Sequence, residues 1–131
     1  EDVKAVRKIC DGATEKFNTG LSAIIDDEVT IDKIKYIEII HPYLVAYKQA
    51  YKLWYNKIID KITVKSAWVN YMKKGTGNPQ SLHTSTFNFK PEAGDLFIFP
   101  WNLTHSVSTY KSDVRRISVA ANFSLEEKKD I

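Results

Sequence analysis

The chain has a single cysteine, Cys10, so no disulfide can close within it and no cysteine-based zinc site can form. A reducing, cytoplasmic setting suits that usage best. No apolar run is long enough to span a bilayer, and the acidic opening Glu1-Asp2 does not resemble a signal peptide. No strip of Lys and Arg stands out either. Net charge is only +3, and basic residues are mixed with acidic ones, as in Glu126-Glu127-Lys128-Lys129. A nucleic-acid surface is therefore not indicated. Internal repeats and low-complexity segments are missing too. What remains is core-forming material: 44% of the 131 residues are hydrophobic, including three Trp, seven Tyr and six Phe. That composition excludes global disorder and suits one domain spanning 1–131.

The pattern divides that domain into a helical part over about 1–60 and a strand-rich part over about 61–125. Val3, Val6, Ile9, Cys10, Ala13 and Phe17 recur at helical spacing, with Gly20 as a stop. Thr30 is placed to cap a short helix running through Ile40, and Pro42 suits the first position of another. From there Leu44, Tyr47, Tyr51, Trp54, Tyr55 and Ile58 make an apolar stripe, read as a helix covering one face of a sheet. At Ile62 the period changes to two. Regular alternation predicts Ile62, Val64, Ser66, Trp68, Asn70 and Met72 on one face of a long strand, with Thr63, Lys65, Ala67, Val69 and Tyr71 on the other. Gly75-Thr76-Gly77-Asn78-Pro79 breaks the pattern. Further strands are expected at 85–90, 95–99, 103–109 and 114–123, with a turn at Pro91-Glu92-Ala93-Gly94.

The last two strands bring chemistry together. If Lys111 and Ser112 form a two-residue hairpin loop, His105 falls opposite Ser118, and Arg116 is its diagonal neighbour on the same face. Diagonal neighbours lie roughly 7–8 Å apart, within reach of an arginine side chain; a loop one residue longer would change the register and separate them. Ala120 and Asn122 follow on that face. Neutral imidazole suits Fe(II), and a facial triad of two His and one carboxylate leaves coordination positions open. A guanidinium fork suits a carboxylate, to which a serine hydroxyl adds a hydrogen bond. Read without that chemistry, His105 is an ordinary strand residue and Arg116 a surface ion-pair partner; spacing alone leaves both readings open.

The segments Gly94-Asp95-Leu96-Phe97-Ile98-Phe99-Pro100, His105 and Arg116-Ile117-Ser118-Val119-Ala120-Ala121-Asn122-Phe123 resemble the C-terminal half of the double-stranded β-helix (jelly roll) of 2-oxoglutarate/Fe(II)-dependent oxygenases. They are most similar to a small prolyl-hydroxylase-like group with members in marine phages. Trp68-Val69-Asn70-Tyr71-Met72 resembles the strand that leads into the metal site there. The resemblance covers roughly 60–125. It implies a mainly β fold with N-terminal helices and a non-haem dioxygenase that hydroxylates a C–H bond, by fold-level analogy one of a peptidyl residue. The implied cofactors are Fe(II) and 2-oxoglutarate, with ascorbate as an accessory reductant. His105 matches the distal iron-binding His, Arg116 the arginine on the far carboxylate of 2-oxoglutarate, and Ser118 the serine of the Arg-x-Ser pair. Tyr71 and Asn70 lie where co-substrate or pocket residues are found. A phage member would work in the host cytoplasm.

One part of that pattern is missing. No His-x-Asp or His-x-His follows the Trp68–Met72 strand; His83 is followed by Thr84 and Ser85, and His41 precedes Pro42 as a surface or capping residue. Five strands are legible where a jelly roll has about eight. The shortfall falls between Gly75 and Ser81, where a central segment is expected to be absent from this sequence or deleted in nature. Two rivals follow: a metal-free jelly-roll module that binds an anion on Arg116, and a structural protein, of phage, using its aromatic helix face as an oligomer interface, for instance in a homodimer.

Overall fold

A computed structural model describes residues 1–17, 27–72, 90–100 and 116–129. The elements run α1 (Asp2–Asp11), β1 (Asp27–Thr30), α2 (Lys33–Tyr55), β2 (Ile59–Met72) and β3 (Arg116–Glu127). The described strands form an antiparallel sheet in the order β1-β2-β3, with β2 in the middle. The result is a mixed helix-and-sheet domain.

Three helical expectations change. α1 stops at Asp11, where the Gly12 N–H donates to the Lys8 carbonyl at 3.2 Å and the Ala13 N–H to the Cys10 carbonyl at 3.1 Å, rather than continuing through Phe17. The chain then turns toward the sheet: Lys16 bridges Val29, and the Phe17 N–H donates to the Glu28 carbonyl at 3.1 Å. Thr30 ends β1 rather than capping a helix. The cap is Asp32, whose Oδ1 accepts from the Ile34 and Lys35 N–H groups, both at 3.1 Å. From there one 23-residue helix runs straight past Pro42. Proline removes one backbone donor there, but Tyr36, Ile40 and Leu44, four residues apart and all buried, hold the helix to the sheet across that point. α2 ends at Asn56, in the left-handed region at φ 54°, a conformation Asn adopts more readily than most residues.

β1 lies inside the part read as helical. Its four residues, Asp-Glu-Val-Thr, are too short and polar to carry a strand signal; β2 supplies the pairing that makes them one. β2 itself is longer than expected and departs from regular alternation. Val64 pairs with Phe123 and Ser66 with Asn122, so Lys65 is an extra residue, a β-bulge. The bulge puts Ile62 and Val64 on the same side as Ala67, Val69 and Tyr71, correcting the expectation that they share a side with Ser66 and Trp68. A second irregularity falls between Ile59 and Lys61.

The core lies between that side of the sheet and the helices. Cys10, Val29, Ile31, Tyr36, Ile40, Leu44, Ala67 and Val69 are buried together, with Ile62, Tyr71, Ile117, Val119, Ala121 and Phe123 packed against them. Val69, at 0% exposure, is central. Burial raises the pKa of the Cys10 thiol, with the Asp11 carboxylate adding to the shift. The far end of α2 does not follow its predicted role. Leu53 is 85% and Trp54 68% exposed, so the aromatic stripe covers the sheet only through its first turns.

The turn before Asp95 forms as expected, with the Asp95 N–H donating to the Glu92 carbonyl and the Glu92 N–H to Asp95 Oδ2. Gly94 takes φ +99°, and a Cβ there would meet Val3 Cγ2 at 3.3 Å. Residues Asp95–Phe99 are not the buried strand expected. Ile98 alone packs on the core, while Leu96, Phe97 and Phe99 are exposed. An apolar run signals burial on both faces, and here Ile98 packs into the core while its apolar neighbours stay exposed. The expected strands at 85–90 and 103–109, the hairpin loop and the expected missing segment fall essentially outside the described residues. No helix of the described residues is long and apolar enough to cross a membrane.

Candidate functional site

The side of the sheet turned away from the helices carries the candidate site. Cross-strand partners share a face, so the register fixes its rows. Met72 is opposite Arg116. Glu28, Asn70 and Ser118 form a row across all three strands, and Thr30, Trp68 and Ala120 form the next. Arg116, Ser118, Ala120 and Asn122 therefore lie on one face, as alternation along the strand predicts. Arg116 and Ser118 are both half-buried.

Two hydrogen bonds tie the rows together. The indole Nε1–H of Trp68 donates to Asn70 Oδ1 at 3.0 Å, and Asn70 Nδ2 donates to Ser118 Oγ at 3.3 Å. Phe17 stacks on the Trp68 ring, with centroids 4.6 Å apart and planes 15° from parallel. The departure of the chain from α1 after Asp11 thus has a purpose in the site: it carries Phe17 onto the indole. Among the described residues Arg116 forms no ion pair. A guanidinium and a hydroxyl two residues apart on one face are both donors of the kind a carboxylate accepts from.

Tyr71, expected with these residues, is not among them. It pairs with Ile117 and Asp27, so its side chain lies on the helix side, where it lines a cleft with Arg7, Cys10, Asp11 and Ile117. Successive residues of a strand face opposite ways, so Asn70 and Tyr71 cannot both join Ser118. Asn70 takes that position. Glu28 was missed by sequence reasoning, because no strand was expected there. It is 4% exposed, in one row with Asn70 and Ser118. Only the pairing of β1 with β2 reveals it; alternation within four residues carries no such signal.

His105 and His83 lie outside the described residues. His41 is exposed on α2. No group of three His, Cys, Asp or Glu side chains among the described residues could hold a metal ion. The described residues alone therefore do not fit an iron centre; what Arg116 and Ser118 offer is a positive charge and hydrogen-bond donors on one face.

Residues 56–122, just over half of the chain, match the model of a family described as "Putative 2OG-Fe(II) oxygenase". The chain belongs to this family. The matched region takes in all of β2 and the first residues of β3, and hence Trp68, Asn70, Arg116 and Ser118. Glu28 and Phe17 lie before it. No curated protein and no solved structure matches the chain.

Proposed function

We propose that this oxygenase-family chain is a non-haem, Fe(II)- and 2-oxoglutarate-dependent dioxygenase acting on a C–H bond, with a peptidyl residue as the first substrate class to test. The observation that carries the reading is the half-buried Arg116 on one face with Ser118, which Asn70 holds by a hydrogen bond, within the region matched to the family. Arg116 binds the distal carboxylate of 2-oxoglutarate through its fork, and Ser118 donates a further hydrogen bond. Ala120, one step along the strand, keeps the neighbouring volume small. His105 is the metal ligand on this reading, with its partners coming from outside the described residues. Bound iron would supply the oxygen chemistry that couples 2-oxoglutarate oxidation to hydroxylation. On this reading the sheet of β1, β2 and β3 is one wall of a jelly roll.

The test is 2-oxoglutarate affinity by calorimetry, together with succinate formation in the presence of Fe(II). Arg116→Ala should weaken 2-oxoglutarate binding by roughly 10- to 100-fold, the loss of a charged bidentate contact. Unchanged affinity in that variant would overturn the assignment. The family's metal chemistry need not operate for the anion site to exist. If 2-oxoglutarate binds equally well with and without a divalent metal and no succinate forms, the chain is instead an anion-binding module built on the same residues.

A further inference from the structure

We infer that Trp68 and Asn70 form a one-way hydrogen-bond relay that turns the Ser118 hydroxyl proton toward the ligand, making this corner of the site selective for an acceptor-only group. Asn70 is then a positioning residue that acts through Ser118. The inference rests on the co-substrate reading above and deepens it.

The direction of the relay follows from chemistry. Indole Nε1 can only donate. Its bond to Asn70 therefore requires the amide oxygen to face Trp68, at the observed 3.0 Å. The other end of the same amide, Nδ2, must then face Ser118, and it too can only donate. The 3.3 Å contact with Ser118 Oγ thus uses a lone pair of the hydroxyl and leaves its proton to be given elsewhere. Every link donates in the same sense, from Trp68 to Asn70 to Ser118, and successive bonds of this kind polarise one another. The chain ends in a donor two residues along β3 from the guanidinium of Arg116, so both groups at this corner offer hydrogens: the guanidinium has no lone pair, and Asn70 fills one of the two on the hydroxyl and leaves its proton to the ligand. A carboxylate satisfies them; a primary amide satisfies them only in part. Phe17, stacked on the indole, holds the plane from which the first bond starts.

Without the indole donor, the amide of Asn70 can turn over and present its oxygen to Ser118. The hydroxyl then donates inward and offers the ligand a lone pair. Trp68→Phe makes this change while keeping a ring for Phe17 to stack on. The predicted result is a fall of about three-fold or more in 2-oxoglutarate affinity and a smaller preference for 2-oxoglutarate over its distal amide, 2-oxoglutaramate. A purely structural role for Trp68 would weaken both ligands equally and leave the ratio unchanged.

The test is calorimetric binding of 2-oxoglutarate and 2-oxoglutaramate to the full chain and to the Trp68→Phe, Asn70→Leu, Ser118→Ala and Asn70→Leu/Ser118→Ala variants. Near-ultraviolet circular dichroism checks that each folds. Ser118→Ala should cost about ten-fold in 2-oxoglutarate affinity, and Asn70→Leu about three-fold or more. In the Ser118→Ala background Asn70→Leu should cost nothing further, since Asn70 acts only through that hydroxyl. If Trp68→Phe fails to fold, this double-mutant cycle carries the test. Additive losses, or an unchanged ligand ratio in a folded Trp68→Phe variant, overturn the relay while leaving the roles of Arg116 and Ser118 in place. A wild-type chain that binds no 2-oxoglutarate overturns the co-substrate reading, and the relay's role with it.

Discussion

Deleting Lys65 should leave the fold intact. In a regularly alternating strand, removing one residue turns every side chain on one side of the cut to the opposite face. Here that would move Ile59 and Val64, which are 4% and 6% exposed, off the core, together with the half-buried Ile62. Fully burying a side chain of this kind contributes about 1.5–3 kcal/mol. Two such losses come to about 3–6 kcal/mol, a large part of the roughly 5–15 kcal/mol that holds a typical domain together. The observed register predicts otherwise. Lys65 is the extra residue between the pairs Val64–Phe123 and Ser66–Asn122, so its removal gives a continuous ladder with Val64 still opposite Phe123 and Ser66 still opposite Asn122. Lys65 is exposed, and its side chain contributes nothing to the core. The remaining cost is the local twist a bulge supplies, expected to stay within about 1 kcal/mol, the scale of most single changes outside a core. Urea unfolding followed by far-ultraviolet circular dichroism measures it, with Lys65→Ala as the baseline. A loss above about 3 kcal/mol for the deletion would refute the bulge and restore the regular strand. The site depends on the answer, because the bulge lets one strand put Ile62 and Val64 into the core and Trp68 and Asn70 on the opposite face.

Two further outcomes follow from contacts away from the site. Asp32→Ala should cost about 1 kcal/mol in urea unfolding by removing the acceptor for the first N–H groups of α2; Thr30→Ala, the residue the sequence favours as the cap, should cost clearly less. The Tyr51 hydroxyl donates to Glu127 Oε1 at 2.6 Å, which joins the end of α2 to the end of β3. That bond holds the Glu127 carboxyl below its usual value and pushes the Tyr51 hydroxyl up to about 12. A carboxyl lowered in the fold stabilises above its unfolded value and loses that contribution as pH falls through the lower folded one. A phenol raised in the fold stabilises fully below 10 and loses that contribution between 10 and about 12. Melting curves of the wild type and Tyr51→Phe should therefore differ most near neutrality and converge at both extremes; a difference independent of pH would contradict the linkage.

How much of this was legible depended on the length of the signal. Two strands announced themselves through long period-two patterns, and α2 through its apolar spacing. The turn before Asp95 was readable from Pro91 to Gly94, because its residue types limit the backbone. Short or ambiguous segments were not. Asp27–Thr30 becomes a strand only because β2 offers it an edge. Asp95–Phe99 has the composition of a buried strand, yet Leu96, Phe97 and Phe99 stay exposed. Thr30 and Asp32 are both acceptable caps, and the choice between them follows from Thr30 being taken into the sheet. Pro42 looked like a helix start because its local cost is high; the packing of Tyr36, Ile40 and Leu44 on either side carries the helix past it.

By itself the sequence determined the chemistry available: an arginine and a serine two apart on a strand, a tryptophan and an asparagine two apart on another, and a family pattern joining them. Those are properties of residue type and short spacing, which the chain carries whether folded or not. Tertiary structure decided which of them meet. Pairing β2 with β3 set Asn70 against Ser118, a contact between residues 48 apart. Alternation then sent Tyr71 to the other side, and β1 brought the buried Glu28 into the same row. Register is a long-range property because a one-residue shift changes every face at once, and local spacing has no means of choosing it.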